Sequence, residues 1–156
     1  MPATTIVGVI SDTHGLLRPE AMEALDGSDL ILHAGDIGTP SILDALAEVA
    51  PVVAVRGNVD KGEWANSIPE RMAVEIGDAT VYILHDRQML DLKPEAAGFQ
   101  AVISGHSHQV VEETKNGVLY FNPGSAGPKR FKLPVTLGRF VVTGTTIEHE
   151  IITLDV

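Results

Sequence analysis

A chain of 156 residues, 44% hydrophobic and 21% charged, has the makeup of one ordinary globular domain over 1–156. No apolar stretch reaches the roughly 20 residues that cross a bilayer, so no membrane partner is expected, and the lack of cysteine excludes a disulfide framework or a thiolate metal site. A net charge of −10 disfavours long nucleic acids, which are bound by neutralising phosphates, but leaves room for a small anion wherever bound cations reverse the charge locally.

The first strand is expected over Ile6–Ile10, a continuous apolar run that stops at Ser11-Asp12-Thr13-His14. A helix follows over Glu20–Leu25, then a strand over Leu30–His33 that stops at Ala34-Gly35-Asp36. Thr39 is placed to cap a helix over Ser41–Val49, with Pro40 as its first residue. Strand Val52–Val55 stops at Arg56-Gly57-Asn58-Val59-Asp60. This βαβαβ order implies parallel strands with right-handed crossovers.

From Arg71 the texture changes. Met72–Ile76 and Thr80–Leu84 flank Gly77-Asp78, a hairpin signal, and the second run stops at His85-Asp86. A short helix near Lys93–Ala97 precedes strand Ala101–Ile103, which stops at Ser104-Gly105-His106-Ser107-His108. Val110–Glu113 and Val118–Phe121 flank Lys115-Asn116-Gly117, and Val135–Val142 and Thr146–Thr153 flank Thr143-Gly144-Thr145. The last strand alternates, with Ile147, His149 and Ile151 on one face. The expected architecture is a parallel βα half joined to an antiparallel-rich half, as two sheets packed face to face with helices outside.

Binding crevices of open α/β sheets lie beyond the carboxyl ends of strands. One sheet edge should therefore gather Asp12, His14, Asp36, Asn58, His85, His106 and His108. Seven oxygen and nitrogen donors exceed the four that one zinc takes, and suit two divalent ions sharing a bridging carboxylate. Each signal alone has a plain counterpart. Asp12-x-His14 also fits a turn aspartate beside a capping histidine, Gly35-Asp36 and Gly57-Asn58-Val59-Asp60 are ordinary turn sequences, and His85 alone reads as a core histidine. Gly105-His106-Ser107-His108 is sharper, because imidazoles at i and i+2 after a small-residue turn can face two adjacent sites. Five of the six histidines end strands, and that joint placement favours ligation.

His33 reads as a structural residue beside the site, His149 as a surface residue and Trp64 as packing. Gly57-x4-Gly62 is not a P-loop, since Glu63-Trp64 stand where Lys-Ser/Thr is required. Asn122-Pro123-Gly124-Ser125 suits close backbone packing near the site. Arg130 fits either a bidentate grip on phosphate or half of a solvated basic pair with Lys129.

The ordered set Asp12-x-His14, Gly35-Asp36, Gly57-Asn58-x-Asp60, His85 and Gly105-His106-x-His108 resembles the calcineurin-like metallophosphoesterase superfamily. The short length, with Asn122-Pro123-Gly124-Ser125 and Arg130 near the end, is similar to its small single-domain phosphodiesterase branch, which includes the eukaryotic retromer scaffold subunit. The resemblance implies an α/β fold: a four-layer α/β/β/α sandwich of two mixed sheets flanked by helices. It also implies that Asp12, His14 and His108 hold one metal, that Asn58, His85 and His106 hold the other, and that Asp36 bridges them. Asp60 would support the site by orienting His14 or Asn58. The implied cofactors are two divalent ions, with Mn²⁺ favoured for an imidazole-rich, thiolate-free set and Fe, Ni²⁺, Zn²⁺ or Mg²⁺ as the other choices.

Two positions depart from the pattern. Val59 stands where the wider superfamily has a histidine that assists the leaving group, as is common in the small branch. His85-Asp86-Arg87 replaces the His-Gly-His usual in that branch. The implied activity is hydrolysis of a small phosphodiester by a hydroxide bridging two metals, with Asp36, Asn58 and Asp60 as the catalytic set and Asn58 and Arg130 as the substrate-binding residues. The alternative is a protein-interaction scaffold of the same fold, weak or inactive in catalysis. Cytoplasm is the expected compartment, and a homo-oligomer is compatible with the sequence.

Overall fold

The computed structural model describes residues 3–130 and 132–156. Ten strands form two five-stranded sheets. In the first, β1 (Thr4–Ile10), β2 (Leu30–His33) and β3 (Val52–Ala54) run parallel, and β9 (Thr136–Thr143) and β10 (Thr146–Thr153) extend it antiparallel in the order β10-β9-β1-β2-β3. In the second, β5 (Ala79–Leu84), β6 (Ala101–Ile103) and β8 (Val118–Pro123) are parallel. The edge strands β4 (Arg71–Ile76) and β7 (Val110–Lys115) are antiparallel, in the order β4-β5-β6-β8-β7.

The expected division into a parallel half and an antiparallel half is corrected by this topology. The final hairpin returns to pair β9 with β1 in the first sheet. Each sheet thus has a parallel centre and antiparallel flanks. The expected hairpin turns are in place. Ile76 faces Ala79 across Gly77-Asp78, and Lys115 faces Val118 across Asn116-Gly117, whose φ values of 53° and 78° are the left-handed pair a tight hairpin requires.

The sheets pack through alternating residues. Val7 and Val9 of β1, Leu32 of β2, Ile83 of β5, Ile103 of β6 and Phe121 of β8 bury one face of each strand in the central core. Phe121 meets Phe140 of β9 edge-on across the gap, with ring centroids 4.7 Å apart. The outer face of the first sheet sends Ile10 and Ile31 into a second core with Ala21 and Leu25 of helix α1 (Pro19–Leu25) and Ile42 and Leu46 of α2 (Pro40–Ala47). The fourth layer is thin: Leu90, Leu92 and Phe99, flanking α4 (Pro94–Ala97), cover Tyr82 and Val102 on the second sheet.

Two short elements were not expected. A one-turn helix, α3 (Glu63–Asn66), follows the Asn58 loop, and its Trp64 packs into the outer core. A 3₁₀ turn over Arg87–Met89 follows His85, begun by the Asp86 side chain accepting from Gln88 N–H. At α2, Thr39 occupies the cap position, but its hydroxyl bonds Ser41 Oγ at 2.8 Å rather than a backbone amide. His149 is exposed, as expected, and its Nδ1 lies 2.7 Å from Glu112 Oε1 of β7, joining the two sheets at their edge.

Candidate metal centre

Five loops leave the carboxyl ends of β1, β2, β3, β5 and β6, and backbone hydrogen bonds join the β1 loop to the β2 loop and the β5 loop to the β6 loop. Asp12 N–H donates to Gly35 O at 3.0 Å, His14 N–H to Asp36 O at 2.9 Å and Gly105 N–H to His85 O at 2.9 Å. Packing this close requires glycine. A Cβ on Gly57 would collide with the backbone nitrogen and Oδ1 of Asp36, and one on Gly105 with Ser11 Oγ and Asp12 Oδ2.

The first two loops and the β5 and β6 loops aim their side chains into one space. Asp12 Oδ1 lies 3.3 Å from His108 Nε2, 3.7 Å from His14 Nε2 and 3.9 Å from His85 Nε2. Asp36 Oδ2 lies 3.1 Å from His85 Nε2 and 3.7 Å from His14 Nε2. The donors group as Asp12, His14 and His108, and as Asp12, Asp36 and His85. Asp12 is therefore common to both groups, while Asp36 also reaches histidines of both. The His106 ring sits against His85 with centroids 5.3 Å apart. Asn58 is exposed and lines a cavity of about 400 Å³ together with His85 and Asp86.

Three of the donors are aimed by their other atoms. Ser11 Oγ and His106 N–H take up Asp12 Oδ2, at 2.7 and 3.2 Å, and leave Oδ1 free. Val59 N–H takes Asp36 Oδ1 at 3.0 Å and leaves Oδ2. The carbonyl of Ala34 lies 2.7 Å from His85 Nδ1, so that nitrogen carries the proton and Nε2 faces the site, the orientation outer hydrogen bonds impose on metal-ligating histidines.

Two features mark the cluster as built for a ligand. Among the described residues, the buried side-chain atoms without a hydrogen-bond partner are Asp12 Oδ1, His14 Nε2, His85 Nε2, His108 Nδ1 and Arg18 Nε, so three of the five are atoms that converge in this cluster and a fourth is the far nitrogen of His108. Buried polar atoms are ordinarily satisfied, and a bound cation would satisfy the three that converge. Second, the non-glycine residues at positive φ among the described residues are Asp12, His14, Asp36, His106, His108 and Asn116, so five of the six are candidate ligands. Side chains rarely adopt this left-handed conformation, at a cost of about 1–2 kcal/mol each. An all-nitrogen-and-oxygen donor set with two carboxylates fits divalent ions.

Burial works against ionisation of Asp36, yet His85, the Val59 N–H and His14 outweigh it and hold its carboxyl at about 2. Burial likewise lowers His85, but Asp36, Asp12 and the Ala34 carbonyl raise it above its ordinary value. His108 is lowered by burial. Asp12 opposes that shift, and Arg130 adds to it. Arg130 is exposed and projects its charge onto the His108 side of the centre.

Asp60 corrects an expectation. Its carboxylate reaches neither His14 nor Asn58 and accepts instead from Ile37 N–H at 3.1 Å, Gly38 N–H at 2.9 Å and Gly57 N–H at 2.9 Å. It clamps the loop carrying Asp36 to the loop carrying Asn58. His33 plays a similar part. Gly35 N–H donates to its Nδ1 at 3.1 Å, so its Nε2–H donates to Thr13 Oγ1 at 3.0 Å, and Thr13 donates on to Ile37 O at 2.8 Å. Burial pushes the His33 pKa down to about 4, so the ring is neutral.

Ser11 and Ser125 also act here, although neither stands out as a site residue in the sequence. Ser125 Oγ donates to Asp12 O at 3.1 Å. The signal available for Ser11 is a hydroxyl directly before a ligand aspartate. Ser125 acts from the Asn122–Ser125 turn, whose glycine-rich chain packs on the first loop as expected, since a Cβ on Gly127 would overlap the carbonyls of Asp12 and Thr13.

The rim is built from the departing motif. Asp86 Oδ2 lies 3.9 Å from His106 Nε2. Arg87 places its guanidinium 4.3 Å from the centroid of Tyr120 and 3.4 Å from Glu113 Oε2. A second cavity, about 360 Å³, opens between this turn and His106.

Comparison with known proteins points the same way. Residues 6–145 match the calcineurin-like phosphoesterase superfamily domain. A probable metallophosphoesterase of Methanothermobacter thermautotrophicus is 35% identical over 159 residues, covering 94% of this chain and 91% of the relative. The structure of an archaeal phosphodiesterase superposes with a TM-score of 0.78 at 26% identity, covering 96% of this chain and 99% of that one. Vacuolar protein sorting 29 from Cryptosporidium parvum superposes with a TM-score of 0.77 over 97% of this chain and 98% of its own, a likeness of fold at 19% identity.

Proposed function

The chain belongs to the calcineurin-like phosphoesterase superfamily, and from that premise we propose that it is a metal-dependent phosphodiesterase acting on a small phosphodiester, with two divalent ions as cofactors and Mn²⁺ as the preferred metal. The observation that carries this reading is the meeting of Asp12 Oδ1, His14 Nε2 and His85 Nε2, all buried and all without a hydrogen-bond partner, with His108 Nε2 3.3 Å from the same Asp12 Oδ1. In this reading Asp12, His14 and His108 would hold one ion, and Asn58, His85 and His106 the other. Asp36, whose Oδ2 faces His14 and His85, would be shared between them. Two ions held there would supply an activated water and offset charge on the phosphoryl oxygens.

The remaining roles fall to the chain itself. Asn58, on the exposed lip beside His85, and Arg130, near His108, are assigned to donate to the phosphoryl oxygens. Asp60 serves as a positioning residue, because its three backbone partners lie on the loops that carry Asp36 and Asn58. Val59 is 47% exposed and has no proton to give, so the leaving group departs without help from that position and substrates with good leaving groups are favoured.

The likeness to vacuolar protein sorting 29 supports the second reading, a protein-interaction scaffold on this fold. Hydrolysis of bis(p-nitrophenyl) phosphate by metal-stripped protein, with Mn²⁺, Ni²⁺, Mg²⁺ or Zn²⁺ restored, decides between them. The phosphodiesterase reading requires metal-dependent turnover that His108→Ala loses. Absence of turnover with every metal, despite binding of two ions, would move the assignment to the scaffold or to a substrate too specific for a generic ester.

A further inference from the structure

We propose that the cavity between Arg87 and His106 is a subsite for a flat, uncharged heteroaromatic ring carried on one arm of the phosphodiester. This rests on the phosphodiesterase reading for the position of the phosphate. The cavity begins at the candidate metal ligand His106 and, at about 360 Å³, falls within the range of small-molecule sites. It is thus continuous with the place where a phosphate would sit.

The chemistry of its wall selects the ligand. The Arg87 guanidinium lies over the Tyr120 ring, 4.3 Å from its centroid, and both side chains line the cavity, so the wall there is a planar cation backed by an aromatic ring. Guanidinium planes and aromatic rings are the surfaces on which bases stack. The charge of Arg87 is already met by Glu113 Oε2 at 3.4 Å, so the wall has no spare cation with which to hold an anion. Asp86 adds a carboxylate at the mouth, and Asp86 Oδ1 is tied to Gln88 N–H at 3.0 Å. A second phosphate on this arm would therefore meet negative charge, whereas a neutral ring would not. Gln88, exposed on the same turn, brings an amide able both to donate and to accept at a ring edge. Asn122 contributes no such reading, since its amide nitrogen is committed to Gly105 O and Ser107 Oγ.

The test is calorimetric titration of the Mn²⁺-loaded protein with thymidine 5′-monophosphate and with methyl phosphate, two phosphomonoesters that differ only in the organic arm. The subsite requires the nucleotide to bind roughly tenfold tighter, the scale of one base–aromatic stack. Arg87→Ala should bring the ratio of the two affinities toward one, and Tyr120→Leu should do the same from the opposite side of the stack. Equal affinities in the unaltered protein, or a preference that survives both substitutions, would overturn the proposal. The two readings fail separately. Nucleotide preference without turnover of any phosphodiester would remove the hydrolase and leave the subsite, while turnover without preference would do the reverse.

Discussion

The buried floor of the centre and its exposed rim are built on opposite principles. On the floor, Asp12, Asp36 and His85 are aimed by hydrogen bonds to their far atoms, and His14 and His108 are carried by loops that pack against theirs. Four of these residues sit at positive φ, and three of the converging donor atoms go unsatisfied. The rim is different. Asn58, His106 and Arg130 are exposed, and Arg87 is held by a solvent-facing ion pair and a ring. A floor that gives up folding stability for convergence is suited to binding ions, and a rim of adjustable side chains is suited to choosing the molecule. If this contrast is correct, changes to the floor should alter metal content and stability together, and changes to the rim should alter ligand preference.

The largest expected effect is that of Asp36→Ala. It removes the carboxylate whose Oδ2 faces histidines of both groups, so both ions and all metal-dependent turnover should be lost, as measured by metal analysis of the purified protein. Retention of two ions would break the contrast outright. Next comes Asp60→Asn. An amide keeps the shape but trades one acceptor oxygen for a donor facing backbone N–H groups, so metal affinity should fall about 10- to 100-fold and stability by about 1–3 kcal/mol, read by calorimetry and urea unfolding.

His33 gives a pH-dependent case. Its pKa is about 4 in the fold against the ordinary histidine value of 6.5, so the unfolded chain binds the extra proton between those values. Its contribution is complete above pH 6.5 and is lost as pH falls toward 4, a change of roughly 3 kcal/mol. Urea unfolding of the metal-free protein at stepped pH, compared with His33→Gln, should show this loss only in the chain that carries the histidine. The smallest effect tests the rim. His106 is exposed at φ 72°, so His106→Gly should leave metal-free stability unchanged or slightly raised, although glycine ordinarily costs about 0.5–1 kcal/mol, while metal binding weakens.

Much of the floor is legible in the sequence because its logic is local. A buried strand shows as an unbroken apolar run, and the residues at its carboxyl end follow in order, which is how Asp12, Asp36, His85 and His108 come to notice. Tight turns such as Asn116-Gly117 are equally local. What is not legible depends on contacts distant in sequence. The return of β9 to β1 joins residues some 130 positions apart, and nothing in an alternating C-terminal strand says which sheet it enters. Asp60 reads as a partner for a nearby ligand because spacing cannot reveal that three backbone amides converge on it. Asp86 and Arg87 stand out as departures from a pattern, but the stacking of Arg87 on Tyr120 needs β8 beside β6, which only the folded sheet supplies.

The central claim is that the floor is a two-ion site, and diffraction from crystals of the metal-stripped protein soaked in Mn²⁺ tests it most directly. The account predicts two anomalous peaks, one among Asp12, His14 and His108 and one between Asp36, His85 and the rim residues Asn58 and His106. A single peak, or none at these side chains, would contradict it.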